Sequence, residues 1–147
     1  LSTHRAAVIA LACSAFGCAG AHGGDTSFEL VNGHIFVPVT IDGHGPYRFL
    51  LDTGANTTIV CAEVARELGL ARGSMVMIDG VGTELRGGRP SEVPSIDVGG
   101  AEVERVAVLV GASRADTNIS GVLGGSFFQH YRVIVDYQRS KVELIAR

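Results

Sequence analysis

A carboxylate, a hydroxyl and a glycine stand together at Asp52-Thr53-Gly54, directly after the apolar run Phe49-Leu50-Leu51. An ionised carboxylate is costly to bury, so it must be paired, hydrogen-bonded or partly protonated. Gly54 lets the backbone turn tightly beside it. Thr53 offers a hydroxyl that both donates and accepts. Apolar character returns at Ile59-Val60. The stretch reads as a device for holding Asp52 on a rigid loop at the end of a sheet. The same three residue types are ordinary turn formers, and by themselves they also fit a plain turn between strands.

Other chemistry is poorly supported. The histidines His4, His22, His34, His44 and His130 form no pair at helical metal-ligand spacing, and no Cys-x-x-Cys exists, so no metal site is expected. Cys61 with His130 would supply a thiol and a base, but Cys61 adjoins Ile59 and Val60 and reads as a buried core thiol. Neither a Gly-x-Ser-x-Gly elbow nor a Gly-Lys-Ser/Thr phosphate loop occurs, and no cofactor is expected. A net charge of -3 without a long run of either sign gives no support for nucleic-acid binding.

The elements that must position Asp52 read mainly as strands. Residues 27–31 form a short strand and Asn32-Gly33 a hairpin turn. Apolar residues alternate over 35–41, and Pro38 argues for an edge position. A turn over 42–46 leads to a strand at 47–51 that feeds Asp52. Residues 62–68 suit a short helix stopped by Gly69. Strands at 74–78 and 83–85 flank Asp79-Gly80-Val81-Gly82, and Gly87-Gly88 continue that loose region. Segments 91–98 and 102–110 pair about Gly99-Gly100, and 111–118 is a polar loop. Apolar character returns over 119–124. A short helix over 126–131 is capped by Ser126, and 132–136 with 141–146 close the chain as a hairpin. The expected fold is all-β, a small closed barrel or folded sheet with one or two short helices, in one domain over 22–147.

The order of these motifs resembles the retropepsin-like aspartic proteases, the single-domain retroviral type, in their exported bacterial form. The residues that carry the resemblance are Leu50-Leu51-Asp52-Thr53-Gly54-Ala55, then Ile78-Asp79-Gly80-Val81-Gly82, then Gly121-Val122-Leu123-Gly124 with Ser126-Phe127-Phe128. The ending Tyr131-Arg132-Val133-Ile134-Val135-Asp136-Tyr137 adds to it, so the likeness spans about residues 28–146.

The resemblance implies that Asp52 is the catalytic carboxylate, on an active-site loop with Thr53, Gly54 and Ala55. Thr53 would hydrogen-bond across a dimer, and the Gly54 amide would approach the carboxylate and the substrate. Gly80, Val81 and Gly82 would form the tip of a flap that closes over a peptide. Leu123 and Gly124 would support the loop from below. Peptide hydrolysis needs one carboxylate to activate water and another to protonate the carbonyl. The chain has one Asp-Thr-Gly and no Asp-Ser-Gly, so this reading requires a homodimer with one Asp52 from each copy. The alternative is a non-catalytic peptide-binding or dimerisation module on the same fold. Ala55 stands where a hydroxyl would help ionise the pair, so the expected pH optimum is mildly acidic, nearer neutral than that of a stomach-type protease.

Residues 1–21 differ in kind. His4 and Arg5 precede an apolar run over 6–16, and Ala19-Gly20-Ala21 ends it with small residues. That is the plan of a secretory signal, with a periplasmic or secreted destination. A variant makes Cys18 the lipid-bearing residue of a lipoprotein, the only route by which a membrane enters this reading. Either way only Cys61 remains in the mature domain, which excludes an internal disulfide there.

Overall fold

The computed structural model describes residues 22–70, 73–78, 86–111 and 118–147. The leader read at 1–21, with Cys18, lies outside these residues, as do Asp79, Gly80, Val81 and Gly82.

The strands are β1 (Gly24–Ser27), β2 (Glu29–Val31), β3 (His34–Ile41), β4 (His44–Leu51) and β5 (Thr58–Cys61). After helix α1 (Ala62–Glu67) come β6 (Val76–Ile78), β7 (Arg86–Val98), β8 (Ala101–Gly111) and β9 (Gly121–Leu123). Helix α2 (Gly125–Phe128), β10 (Tyr131–Asp136) and β11 (Lys141–Ala146) complete the chain.

Two sheets form. The larger runs β2-β3-β4-β9-β5-β8-β7-β6, and a further pairing of β3 with β7 closes it. The ring β3-β4-β9-β5-β8-β7 is therefore a closed barrel, with β2 and β6 outside it. The alternating side chains of β3 explain the closure: Ile35, Val37, Val39 and Ile41 turn into one core with Phe49, Val60, Val93, Ile96 and Leu123. The smaller sheet, β1-β11-β10, packs Tyr131, Val142 and Leu144 into the same core.

Several boundaries differ from the sequence reading. The strand expected over 27–31 breaks at Phe28, whose amide donates to Ser140 O at 2.9 Å and whose ring lies buried edge-on to Tyr137. Its two halves join different sheets. Pro38 lies inside β3 opposite Arg48, not in an edge strand. It is tolerated because β2 reaches only His34–Phe36 and β7 only Thr40 and Ile41 on the other side. The turn before β4 is only Asp42-Gly43, both at positive φ, so His44, Gly45 and Pro46 already belong to the strand. Gly87 and Gly88 are not loose: they pair with Met77 and Val76, since a ladder needs backbone groups and not side chains. Ser126 lies inside α2, whose N-cap is Gly124, because its hydroxyl is used elsewhere.

Candidate active-site loop

Asp52 stands at the end of β4, where the chain leaves the barrel wall. The position follows from the pairing of β4. Leu50 and Leu51 run parallel to Val122 and Leu123 of β9, and the Asp52 amide continues that contact by donating to Leu123 O at 3.1 Å. Then the ladder stops. The Ala55 amide turns back to Asp52 O at 3.2 Å, closing a tight turn across Thr53 and Gly54. The Gly54 amide donates to Asp52 Oδ1 at 2.9 Å. Asp52, Thr53 and Gly54 are exposed, so in one subunit the carboxylate meets solvent. Its charge is not buried, contrary to what the apolar strand suggests. The strand buries its inward residues and delivers the carboxylate past its end.

The loop is braced from beneath by backbone and hydroxyl groups. Gly125 N donates to Ala55 O at 2.7 Å. Gly124 N donates to Thr58 Oγ1 at 3.1 Å, and Thr58 N donates to Ser126 Oγ at 3.0 Å. Thr58 is fully buried, so these bonds satisfy groups that water cannot reach. Gly124 fits because it has no side chain: a Cβ there would lie 2.6 Å from Thr57 O and 3.0 Å from Ala55 O. Leu123 is fully buried under the same loop.

The structure thus brings together Asp52, Thr53, Gly54, Ala55, Leu123 and Gly124. Among the described residues it brings no second carboxylate to Asp52, and the one hydrogen bond to the Asp52 carboxylate comes from Gly54. Sequence reasoning missed Thr58 and misassigned Ser126. A signal for Thr58 existed: it shares a strand face with Val60, so a hydroxyl there points inward and needs partners. Arg48 was also missed. Its guanidinium lies 3.6 Å from the centre of the Phe36 ring, and its Nε meets Glu29 Oε2 at 3.0 Å. Its carbonyl accepts from Ser120 N at 2.8 Å, which ties β4 to the segment entering β9.

At the base of the expected flap, Val76–Ile78 pairs antiparallel with residues 86–88. Cys61 is buried, and its thiol donates to Ile119 O at 3.1 Å. Among the described residues no three potential metal ligands cluster.

A sequence family described as aspartyl protease matches residues 37–127, which holds the loop, its bracing glycine and α1. In three dimensions the chain resembles a retropepsin-like aspartic protease from Rickettsia conorii, with a TM-score of 0.60 and 20% identity over 85% of this chain and 92% of that one. It also resembles the retroviral protease-like domain of Ddi1 from Leishmania major, with a TM-score of 0.51 and 16% identity over 78% of this chain and 94% of that one. The barrel is therefore a retropepsin-like all-β fold. The sequence has no match among curated proteins.

Proposed function

For a chain that belongs to the aspartyl protease family, we propose the function of an aspartic endopeptidase active as a homodimer. The observation that carries this reading is a single exposed Asp52 on a loop braced by buried hydrogen bonds, with no second carboxylate bonded to it among the described residues. Two such loops, brought together across a two-fold axis, make a pair of carboxylates that shares one proton. The ionised Asp52 takes a proton from a water held between the two. The resulting hydroxide attacks the peptide carbonyl carbon while the protonated Asp52 gives its proton to the carbonyl oxygen. Collapse of the tetrahedral intermediate then breaks the C–N bond, and the leaving nitrogen takes a proton from the pair.

The bracing has a role in this scheme. A carboxylate that must meet its counterpart needs a fixed position, and a loosened loop loses the near-attack geometry. Thr53 is exposed beside Asp52, where its hydroxyl can reach the other copy. Gly80, Val81 and Gly82 serve as the flap tip above an extended peptide, which binds by added-strand hydrogen bonds. Residues 1–21 act as an export leader, which sends the domain to the periplasm or outside the cell; lipidation at Cys18 is the other export route.

The test is cleavage of an unfolded protein by the chain and by Asp52→Asn. Loss of cleavage in the variant, with the fold retained by circular dichroism, supports the enzyme. Equal cleavage by both refutes it and leaves a binding module on the same fold.

A further inference from the structure

The strand that delivers Asp52 carries a groove on its outward side. Strand alternation puts Pro46, Arg48 and Leu50 on that side of β4, while Phe49 points into the core. Cross-strand pairing sets Phe36 of β3 opposite Leu50 and Pro38 opposite Arg48. Here lies a groove of about 320 Å³, walled mainly by Phe28, Phe36, Pro38, Pro46, Tyr47 and Arg48. Apolar and aromatic walls with one placed charge are the usual make-up of a binding pocket. The catalytic scheme above makes no use of it.

Arg48 is set up for one kind of contact. Its guanidinium lies 3.6 Å from the centre of the buried Phe36 ring. Its Nε donates to Glu29 Oε2 at 3.0 Å, and its Nη1 donates weakly to Asn118 O at 3.5 Å. The ring and these bonds together fix the plane of the group. Phe36 takes one face, yet the Arg48 side chain is still 28% exposed and borders the groove. Glu29 already answers its charge, so an entering carboxylate would gain little. An aromatic ring would gain more, because a planar, weakly hydrated guanidinium stacks on aromatic faces. Pro38 and Pro46, both exposed, add apolar rings to the walls around it.

We infer that this groove is a distal subsite of the Asp52 cleft and takes an aromatic side chain of the substrate peptide, stacked on Arg48. The peptide comes from the protease reading above, on which this placement rests. Continuity along one strand face selects the occupant: Arg48, Leu50 and Asp52 follow one another at alternate positions. Arg48 stands about 13 Å from Asp52 along the strand, at roughly 3.3 Å per residue. An extended peptide advances at the same rate, so the aromatic residue lies about four residues from the scissile bond. A two-fold axis between two Asp52 loops repeats the groove at the other end of the cleft. The preference therefore appears on both sides of the bond.

The experiment compares extended peptides that differ only in tryptophan or alanine about four residues from the scissile bond. Binding to the Asp52→Asn chain is read by fluorescence anisotropy, and cleavage by the parent as kcat/KM. Tryptophan should lower Kd about fivefold to tenfold and raise kcat/KM by a similar factor, through KM. Arg48→Lys keeps the charge and loses the planar stack, so it should cut the preference to within about twofold. Phe36→Leu keeps an apolar wall and unfixes the guanidinium, and should do the same; thermal melts show whether each variant is folded. A scan of tryptophan along the peptide needs no variant: the gain should vanish with the ring moved to about seven residues from the bond. Equal affinity of the tryptophan and alanine peptides would overturn the subsite. So would a gain independent of position, a stronger preference for glutamate there, or a preference that survives both substitutions in folded chains. Arg48-dependent binding of the tryptophan peptide with equal cleavage in parent and D52N would leave the subsite standing and remove the protease reading.

Discussion

Replacing Thr58 by Val tests the bracing of the loop at a single atom. The substitution keeps the size and branching of the side chain and removes one hydroxyl. That oxygen accepts from Gly124 N at 3.1 Å in a fully buried site, where no water can take its place. The hydrogen bond itself contributes a net of about 1 kcal/mol, and the orphaned buried amide costs about 1–3 kcal/mol. These overlap, so the expected loss is about 2 kcal/mol. For a domain of this size that lowers Tm by roughly 6–10 °C. Urea unfolding should show a lower midpoint at an unchanged slope, since the surface exposed on unfolding is the same. Thr58→Ser is the control. It keeps the hydroxyl and loses one methyl, at a cost of about 1 kcal/mol. T58V should therefore be the less stable of the two. If T58V were within about 0.5 kcal/mol of the parent and T58S were the worse, the methyl and not the hydroxyl would be holding the loop, and the argument would be wrong. The Ser126→Ala variant should show non-additive losses with T58V, because Gly124, Thr58 and Ser126 form one continuous set of bonds.

Gly124→Ala should lower stability by about 2 kcal/mol or more and lower cleavage with it, since its Cβ would meet backbone atoms at 2.6–3.0 Å and not a movable side chain; equal thermal melts for parent and variant would contradict the close packing. Tyr47 has its pKa pushed up to about 12, first by burial, then by its hydrogen bond to Glu67 and by that residue's charge. Between about pH 10 and pH 12 the unfolded chain gives up this proton while the folded chain keeps it, so stability should fall as pH rises through that window. Tyr47→Phe should flatten the fall, as read by unfolding midpoints against pH, and an unchanged slope would show that Tyr47 is not its source.

The loop was legible because its chemistry is local. Asp52, Gly54 and Ala55 make their turn within four residues, and the apolar strand before them is read from composition alone. Helix α1, the Asn32-Gly33 turn and the Gly99-Gly100 hairpin were legible for the same reason. What could not be read is the order of strands. Leu51 pairs with Leu123, and Thr58 with Val108, both in parallel, at separations that no local pattern records. The breaking of one expected strand at Phe28 depends on Ser140 at the far end of the chain. Ser126 was read as a cap because serine before an apolar run has that meaning locally. Its actual partner, the Thr58 amide, is brought to it only when β5 enters the barrel. Pro38 was read as an edge residue by a sound rule, and the structure meets the rule with a gap in the pairing instead of a free strand.

The most direct measurement is cleavage of an unfolded protein at mildly acidic pH by the chain and by Asp52→Asn, each over a dilution series. Asp52 is exposed, so the substitution should leave stability within about 0.5 kcal/mol. The account predicts cleavage that falls by about a thousandfold or more in the variant, as removal of an essential acid–base group requires. It also predicts that specific activity of the parent falls on dilution, as a site shared by two copies comes apart. Equal cleavage by both proteins, or Asp52-dependent cleavage by a species that sediments as a monomer, would contradict it.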